Sequence, residues 1–129
     1  MTNKSAPLVS VCMITYNHGP YIRQAIEGIL KQKCSFPFEI IIGEDCSSDN
    51  TAEICREYAS EYQIIKLLPS GTNLGMLPNF FRTIDACSGK YIAFCEGDDY
   101  WTDPGKLGKQ ADFLEMNPDF GMVCTDYSK

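Results

Sequence analysis

Apolar and polar positions follow one another along the chain in blocks that read as strand and helix in turn. Leu8-Val9-Ser10-Val11-Cys12-Met13-Ile14 is a nearly continuous apolar run, the pattern of a strand buried on both faces. Asn17-His18-Gly19-Pro20 breaks it, and Pro20 suits the first position of a helix. Along that helix Ile22, Ile26, Ile29 and Leu30 form one stripe, while Arg23, Glu27 and Lys31 face elsewhere. Residues 38–42 give a second strand, and the polar turn 44–50 leads to a second helix with Cys55, Tyr58, Ala59 and Tyr62 at helical spacing. Its N-cap lies among Ser48, Asp49 and Asn50. A third strand spans 64–68, and a third helix runs over 78–87 with Gly89 as its C′ residue. Residues 91–95 form a fourth strand. Asp103 caps a fourth helix with Pro104 in its first turn, and Leu107, Ala111 and Leu114 line its buried side. Asn117-Pro118 stops that helix, and Met122-Val123-Cys124 opens a fifth strand.

This alternation implies right-handed crossovers and a mostly parallel sheet with helices on both faces, an α/β fold. One domain covers 7–129, behind a polar, disordered N-terminus at 1–6. In such open sheets ligands bind beyond the carboxyl ends of the strands. The segments after strands one, two and four therefore meet at one rim: Thr15-Tyr16-Asn17, Glu44-Asp45, and Glu96 to Asp99.

Glu96-Gly97-Asp98-Asp99 sets three carboxylates within four residues. Like charges this close resist joint ionisation unless a cation sits among them. Oxygen-rich groups suit hard divalent ions, Mg²⁺ or Mn²⁺, which keep positions open for water and substrate phosphates. Asp98, with Asp99, is expected to hold such an ion between two phosphates. Asp45 or Glu44 can accept hydrogen bonds from a nucleobase or ribose. Tyr16 either stacks on a base or packs on the first helix, and Trp101 either lines a sugar pocket or closes the core edge. Asp49 reads as a helix cap and His18 as a turn residue without a catalytic role. Neither G-x-G-x-x-G after a strand nor G-x-x-x-x-G-K-[ST] is present, which argues against dinucleotide-binding and P-loop proteins.

Composition narrows the partners. A net charge of −6 over 129 residues argues against nonspecific nucleic-acid or membrane binding, so an anionic substrate needs a metal or local basic groups. No apolar run reaches the ~20 residues of a membrane span. Seven cysteines without a C-x-x-C pair, beside one histidine, make a zinc site improbable. With no secretory signal they read as free thiols in a cytoplasmic protein, with Cys34, Cys46 and Cys55 partly exposed.

At these residues the chain resembles glycosyltransferase family 2, the inverting enzymes of GT-A fold. Val9 to Asn17 is similar to that family's first strand and base-binding edge. The stretch from Glu39 to Thr51 resembles its V-D-D-G-S-T-D-x-T segment. Asn73-Leu74-Gly75 and Ser88 to Phe94 resemble the approach to its D-x-D motif, which here reads Glu96-Gly97-Asp98. Asp103-Pro104, Lys106-Leu107 and Gln110 are similar to the helix that follows. The chain departs from the pattern at Glu44 and Glu96, where the family has aspartate, and at Cys46, where it usually has glycine.

The resemblance implies a nucleotide-diphosphate sugar as donor, commonly a UDP-sugar, transferred with inversion to a glycan or lipid-linked acceptor. It implies that Thr15, Tyr16 and Asn17 border the nucleobase, that Asp45 or Glu44 binds it, that Glu96 and Gly97 lie at the ribose or metal shell, and that Asp98 binds Mn²⁺ or Mg²⁺. It places the acceptor-binding half and the general base beyond Lys129, so the chain alone is expected to transfer sugar weakly or not at all. An uncovered sheet edge would then invite self-association. A nucleotidyltransferase is the nearest rival, yet its basic loop after the first strand is missing: no Lys or Arg occurs between Thr15 and Arg23. A noncatalytic binding module is the other.

Overall fold

The computed structural model describes residues 6–119. The expected fifth strand at 122–124 and the polar segment 1–5 lie outside the described residues. The elements are β1 (Val9–Thr15), α1 (Ile22–Leu30), β2 (Phe38–Glu44), α2 (Thr51–Glu61), β3 (Ile65–Leu68), α3 (Met76–Asp85), β4 (Tyr91–Phe94) and α4 (Lys106–Met116). The four strands form one parallel sheet in the order β3-β2-β1-β4.

Side chains alternate across a strand, so the register sorts the residues onto two faces. Val9, Val11, Met13, Ile40, Ile42 and Ile65 share one face with Ile22, Ile26 and Ile29 of α1, Ile54 and Tyr58 of α2, and Leu107 and Ala111 of α4. That is the main core. The opposite face carries Ser10, Cys12, Glu39, Ile41 and Gly43, and α3 covers it. Helices thus flank both faces, as the alternation predicts. Among the described residues no helix is long and apolar enough to cross a membrane.

The helices begin where backbone hydrogen bonds allow. Pro20 lies in a turn, not in the first helical position, because His18 O accepts from the N–H groups of both Tyr21 and Ile22 and α1 starts at Ile22. For α2 the Asp49 side chain supplies the cap, with Oδ1 accepting from Thr51 N at 2.9 Å, although Asn50 is the boundary residue. Helix α3 starts two residues before Pro78, since Gly75 at φ 93° turns the chain into it. At α4 Asp103 Oδ1 accepts from Gly105 N at 2.8 Å, and Leu114 is half-buried beside the buried Leu107 and Ala111.

The described cysteines are all free thiols. Cys55 is fully buried in α2, which corrects the expected partial exposure, while Cys34 and Cys46 are partly exposed. Burial pushes the Cys12, Cys55 and Cys95 thiols up to about 12, so they stay protonated and inert at neutral pH. Cys46 has φ 60°, the left-handed region that costs an L side chain about 1–2 kcal/mol. The backbone at this position therefore has a glycine conformation with a cysteine on it. Replacing Cys46 by Gly relieves that cost and adds some unfolded-state entropy, so a net gain of roughly 0.5–1 kcal/mol is expected in chemical denaturation. A loss of stability in Cys46→Gly would contradict it.

Candidate functional site

Strand order changes direction between β1 and β4, since β2 and β3 lie on one side of β1 and β4 on the other. Crevices at such a reversal are where open α/β sheets bind ligands. Here the acidic segment is stitched directly to β1. Cys95 N donates to Cys12 O at 3.1 Å and Gly97 N to Ile14 O at 3.2 Å, which lays Glu96 to Asp98 alongside Thr15. Asp99 N then donates to Glu96 O at 3.0 Å and closes a turn.

A cavity of about 310 Å³ opens at this point, within the size range of ligand pockets. Thr15, Tyr16, His18, Asp45 and Glu96 line it, together with the start of α3 at Gly75, Met76 and Asn79. Four segments far apart in sequence therefore line one cavity. Asp45 also builds that wall: its Oδ1 accepts from Leu74 N at 2.7 Å and its Oδ2 from Gly75 N at 3.0 Å. A carboxylate has about four lone-pair directions, so acceptor capacity remains. Arg82 of α3 donates to the carbonyls of Glu44, Leu68 and Pro69 and holds the helix over the ends of β2 and β3.

The expected site residues separate into two groups. Thr15, Tyr16, Asp45 and Glu96 reach the cavity. Glu44 does not; it is buried and its carboxylate accepts from the Ser47 N–H and hydroxyl. Asn17 points at the neighbouring loop, where its Oδ1 accepts from Ser48 N at 2.8 Å and Asp49 N at 3.4 Å. Gly97 is buried against Thr15 and His18. Asp98 stands on the rim with its side chain 49% exposed, and Asp99 Oδ1 accepts from Tyr100 N at 2.8 Å. Of the two places offered to Trp101, the core edge is the one it takes: it is buried, its backbone lies against Gly28 of α1, and Lys106 Nζ sits 4.7 Å from its ring centroid. Tyr16 is exposed on the cavity side.

His18, expected as a turn residue, makes that turn and also lines the cavity. Its Nδ1 lies 2.9 Å from Thr15 Oγ1 and its Nε2 3.8 Å from Asp98 Oδ2, and the ring lines the cavity. The available signal was position: His18 lies three residues past the end of β1, at the strand reversal.

Among the described residues no three His, Cys, Asp or Glu side chains converge as a closed metal cage. The donors that are present, an exposed Asp98 beside a cavity with Glu96 on its wall, fit a hard ion that takes its other ligands from water and phosphate.

Comparisons with known proteins bear on the family and the fold. The sequence pattern of Glycosyl transferase family 2 matches residues 10–129. The uncharacterized protein Rv1520 of Mycobacterium tuberculosis is 45% identical over 112 residues, which cover 86% of this chain and 32% of that protein. The putative teichuronic acid biosynthesis glycosyltransferase TuaG of Bacillus subtilis is 36% identical over 129 residues, 99% of this chain and 49% of the relative. Among solved structures, S. aureus TarS 1-349 in complex with UDP-GlcNAc superposes with a TM-score of 0.75 at 28% identity, covering 85% of this chain and 32% of TarS. The chain thus spans a third to a half of the relatives it matches. With an α/β fold of GT-A type built on a parallel sheet and a family pattern over nearly its whole length, the chain belongs to glycosyltransferase family 2.

Proposed function

We propose that this chain is the donor-binding part of a metal-dependent, inverting glycosyltransferase that uses a nucleotide-diphosphate sugar, in first place a UDP-sugar. One observation carries the reading: Thr15, Tyr16, Asp45 and Glu96 meet in a single cavity at the strand reversal, with Asp98 on its rim. Tyr16 offers its face to the base, and Asp45 accepts from a base N–H with the lone pairs its backbone partners leave free. Glu96 accepts from ribose hydroxyls. Asp98, with Asp99, holds Mn²⁺ or Mg²⁺, and a bound ion supplies Lewis-acid stabilisation to the departing diphosphate. Asn17 and Gly97 serve the site by shaping its loops, and Glu44 does so by fixing the turn that follows β2.

TarS, at 28% identity, was solved with UDP-GlcNAc, which supports a UDP-sugar among the donors the family uses. TuaG, matched over 99% of this chain, is a putative teichuronic acid biosynthesis glycosyltransferase, which supports a glycan or lipid-linked acceptor. The free thiols support a reducing compartment, the cytoplasm. Direct displacement needs a general base within hydrogen-bond reach of the acceptor hydroxyl, and we assign it to the portion of the family enzymes that this chain does not cover.

Calorimetric titration of UDP tests the reading. UDP is expected to bind with Mn²⁺ present, to lose at least about tenfold in affinity with EDTA, and to do the same in Asp98→Asn. Equal affinity in all three conditions would remove the metal from the site; no binding of UDP, GDP or dTDP with metal would remove the donor.

A further inference from the structure

We propose that His18 is a phosphate-binding residue, whose Nε2–H donates to an oxygen of the donor's diphosphate next to Asp98. This rests on the reading of the cavity as a donor site and adds to it the group that receives the phosphates on the β1 side.

The first argument is how firmly the ring is placed. Asn17 stands at φ 54°, in the left-handed region, and that backbone is held from several sides. Asn17 N donates to Ser47 Oγ at 2.8 Å, His18 N to Thr51 Oγ1 at 2.9 Å and Gly19 N to Asp49 Oδ2 at 3.0 Å. His18 O accepts from Tyr21 N and Ile22 N, so the residue also seeds α1. The backbone that carries the ring is thus fixed by the protein itself at three successive N–H groups.

The second argument is the ring itself. The Thr15 hydroxyl meets Nδ1 at 2.9 Å, and we take the hydroxyl as donor in this pair, which puts the ring proton on Nε2. Nε2 stands 3.8 Å from Asp98 Oδ2, beyond hydrogen-bond length, so its N–H is not consumed by that carboxylate. His18 lines the same cavity as the acidic residues Asp45 and Glu96, with Asp98 beside its Nε2. A diphosphate entering there needs a donor on the protein side. The third argument is Gly97, whose hydrogen sits where a Cβ would come within 2.7 Å of His18 Nδ1. The glycine between the carboxylates is the space this ring occupies.

The protein contains a single histidine, so its imidazole signals are unambiguous in ¹H–¹⁵N spectra of the 129-residue chain. The expected spectrum shows Nε2 protonated and Nδ1 bare, with Nε2 shifting on addition of UDP and Mg²⁺ but not of uridine. In calorimetry His18→Ala is expected to weaken UDP roughly tenfold while leaving uridine within about twofold, and His18→Gln, which keeps an N–H at similar reach, to recover most of the loss. A proton on Nδ1, or equal losses for UDP and uridine, would overturn the assignment. So would Mn²⁺ binding without nucleotide that disappears in His18→Ala, since the ring would then be a metal ligand. Pyrophosphate with Mg²⁺ separates this inference from the reading beneath it. If UDP fails to bind but pyrophosphate still shifts Nε2, the donor assignment falls and the phosphate role stands; if neither shifts it, the phosphate role falls.

Discussion

Gly97→Val is expected to reduce UDP binding by this chain at least 100-fold and to lower its stability by about 1–3 kcal/mol, the usual cost of overpacking. A Cβ on residue 97 would lie 2.3 Å from Thr15 Oγ1, 2.7 Å from Thr15 Cβ and 2.7 Å from His18 Nδ1. Contacts this short force something to move. Thr15 cannot yield by rotation, because its Cβ is one bond from the β1 backbone and the residue is buried. The acidic segment can yield only by breaking the Gly97 N to Ile14 O hydrogen bond that sets Glu96 and Asp98 against β1. Either movement displaces a wall of the cavity. Gly97→Ala should show the same loss in smaller measure. Gly71→Ala is the control, since a Cβ there meets nothing within 4 Å. Unchanged UDP affinity and unfolding midpoint in Gly97→Ala would refute the close-packing account.

The same contact explains why part of the site was legible in the sequence and part was not. Element order was readable because each element carries its own local signal: the apolar runs of β1 and β2, and the 3.6-residue stripe of Ile22, Ile26 and Ile29. The acidic segment announced itself through charge density, and its place at the sheet rim followed from topology alone. Side-chain roles decided across long sequence distances were not readable. Asp45 and Glu44 are adjacent acids, and only the docking of loop 72–75 turns Asp45 to the cavity while the Ser47 turn takes Glu44 away. His18 gave no sign beyond its place just after β1, because its neighbour Asp98 is 80 positions further on. Trp101 was ambiguous for the same reason: its packing partner Gly28 lies in α1. Helix starts shifted by about two residues where a tertiary contact, such as Asp45 on Gly75, competes with the proline signal.

Glu39→Gln is expected to cost on the order of 3 kcal/mol near neutral pH, with a fall in Tm of about 10 °C. Glu39 is the second residue of β2, on the α3 side, and is buried. Its Oε2 accepts from Ser10 Oγ at 2.6 Å, Ser88 N at 2.8 Å and Ser88 Oγ at 2.8 Å, and Lys66 Nζ lies 3.1 Å from Oε1. Burial alone drives this carboxyl upward; the hydrogen bonds from Ser10, Ser88 and Lys66 more than offset it and hold the pKa at about 2, against an ordinary 4.5. A carboxyl depressed on folding stabilises the native state above its unfolded pKa, and that stabilisation drains away as pH falls toward the folded value. The gap in unfolding free energy between wild type and Glu39→Gln should therefore be widest above about pH 5 and narrow steadily toward pH 2. A gap constant over that range would mean that shape, not charge, is what the network uses. Function depends on this buried knot at one remove. Ser88 and Gly89 lead into β4, and Gly89 N donates to Ser10 Oγ at 2.7 Å, so Glu39 and Ser10 fix where β4 starts against β1. β4 is only four residues long, and the height of Asp98 beside His18 is set by that starting point.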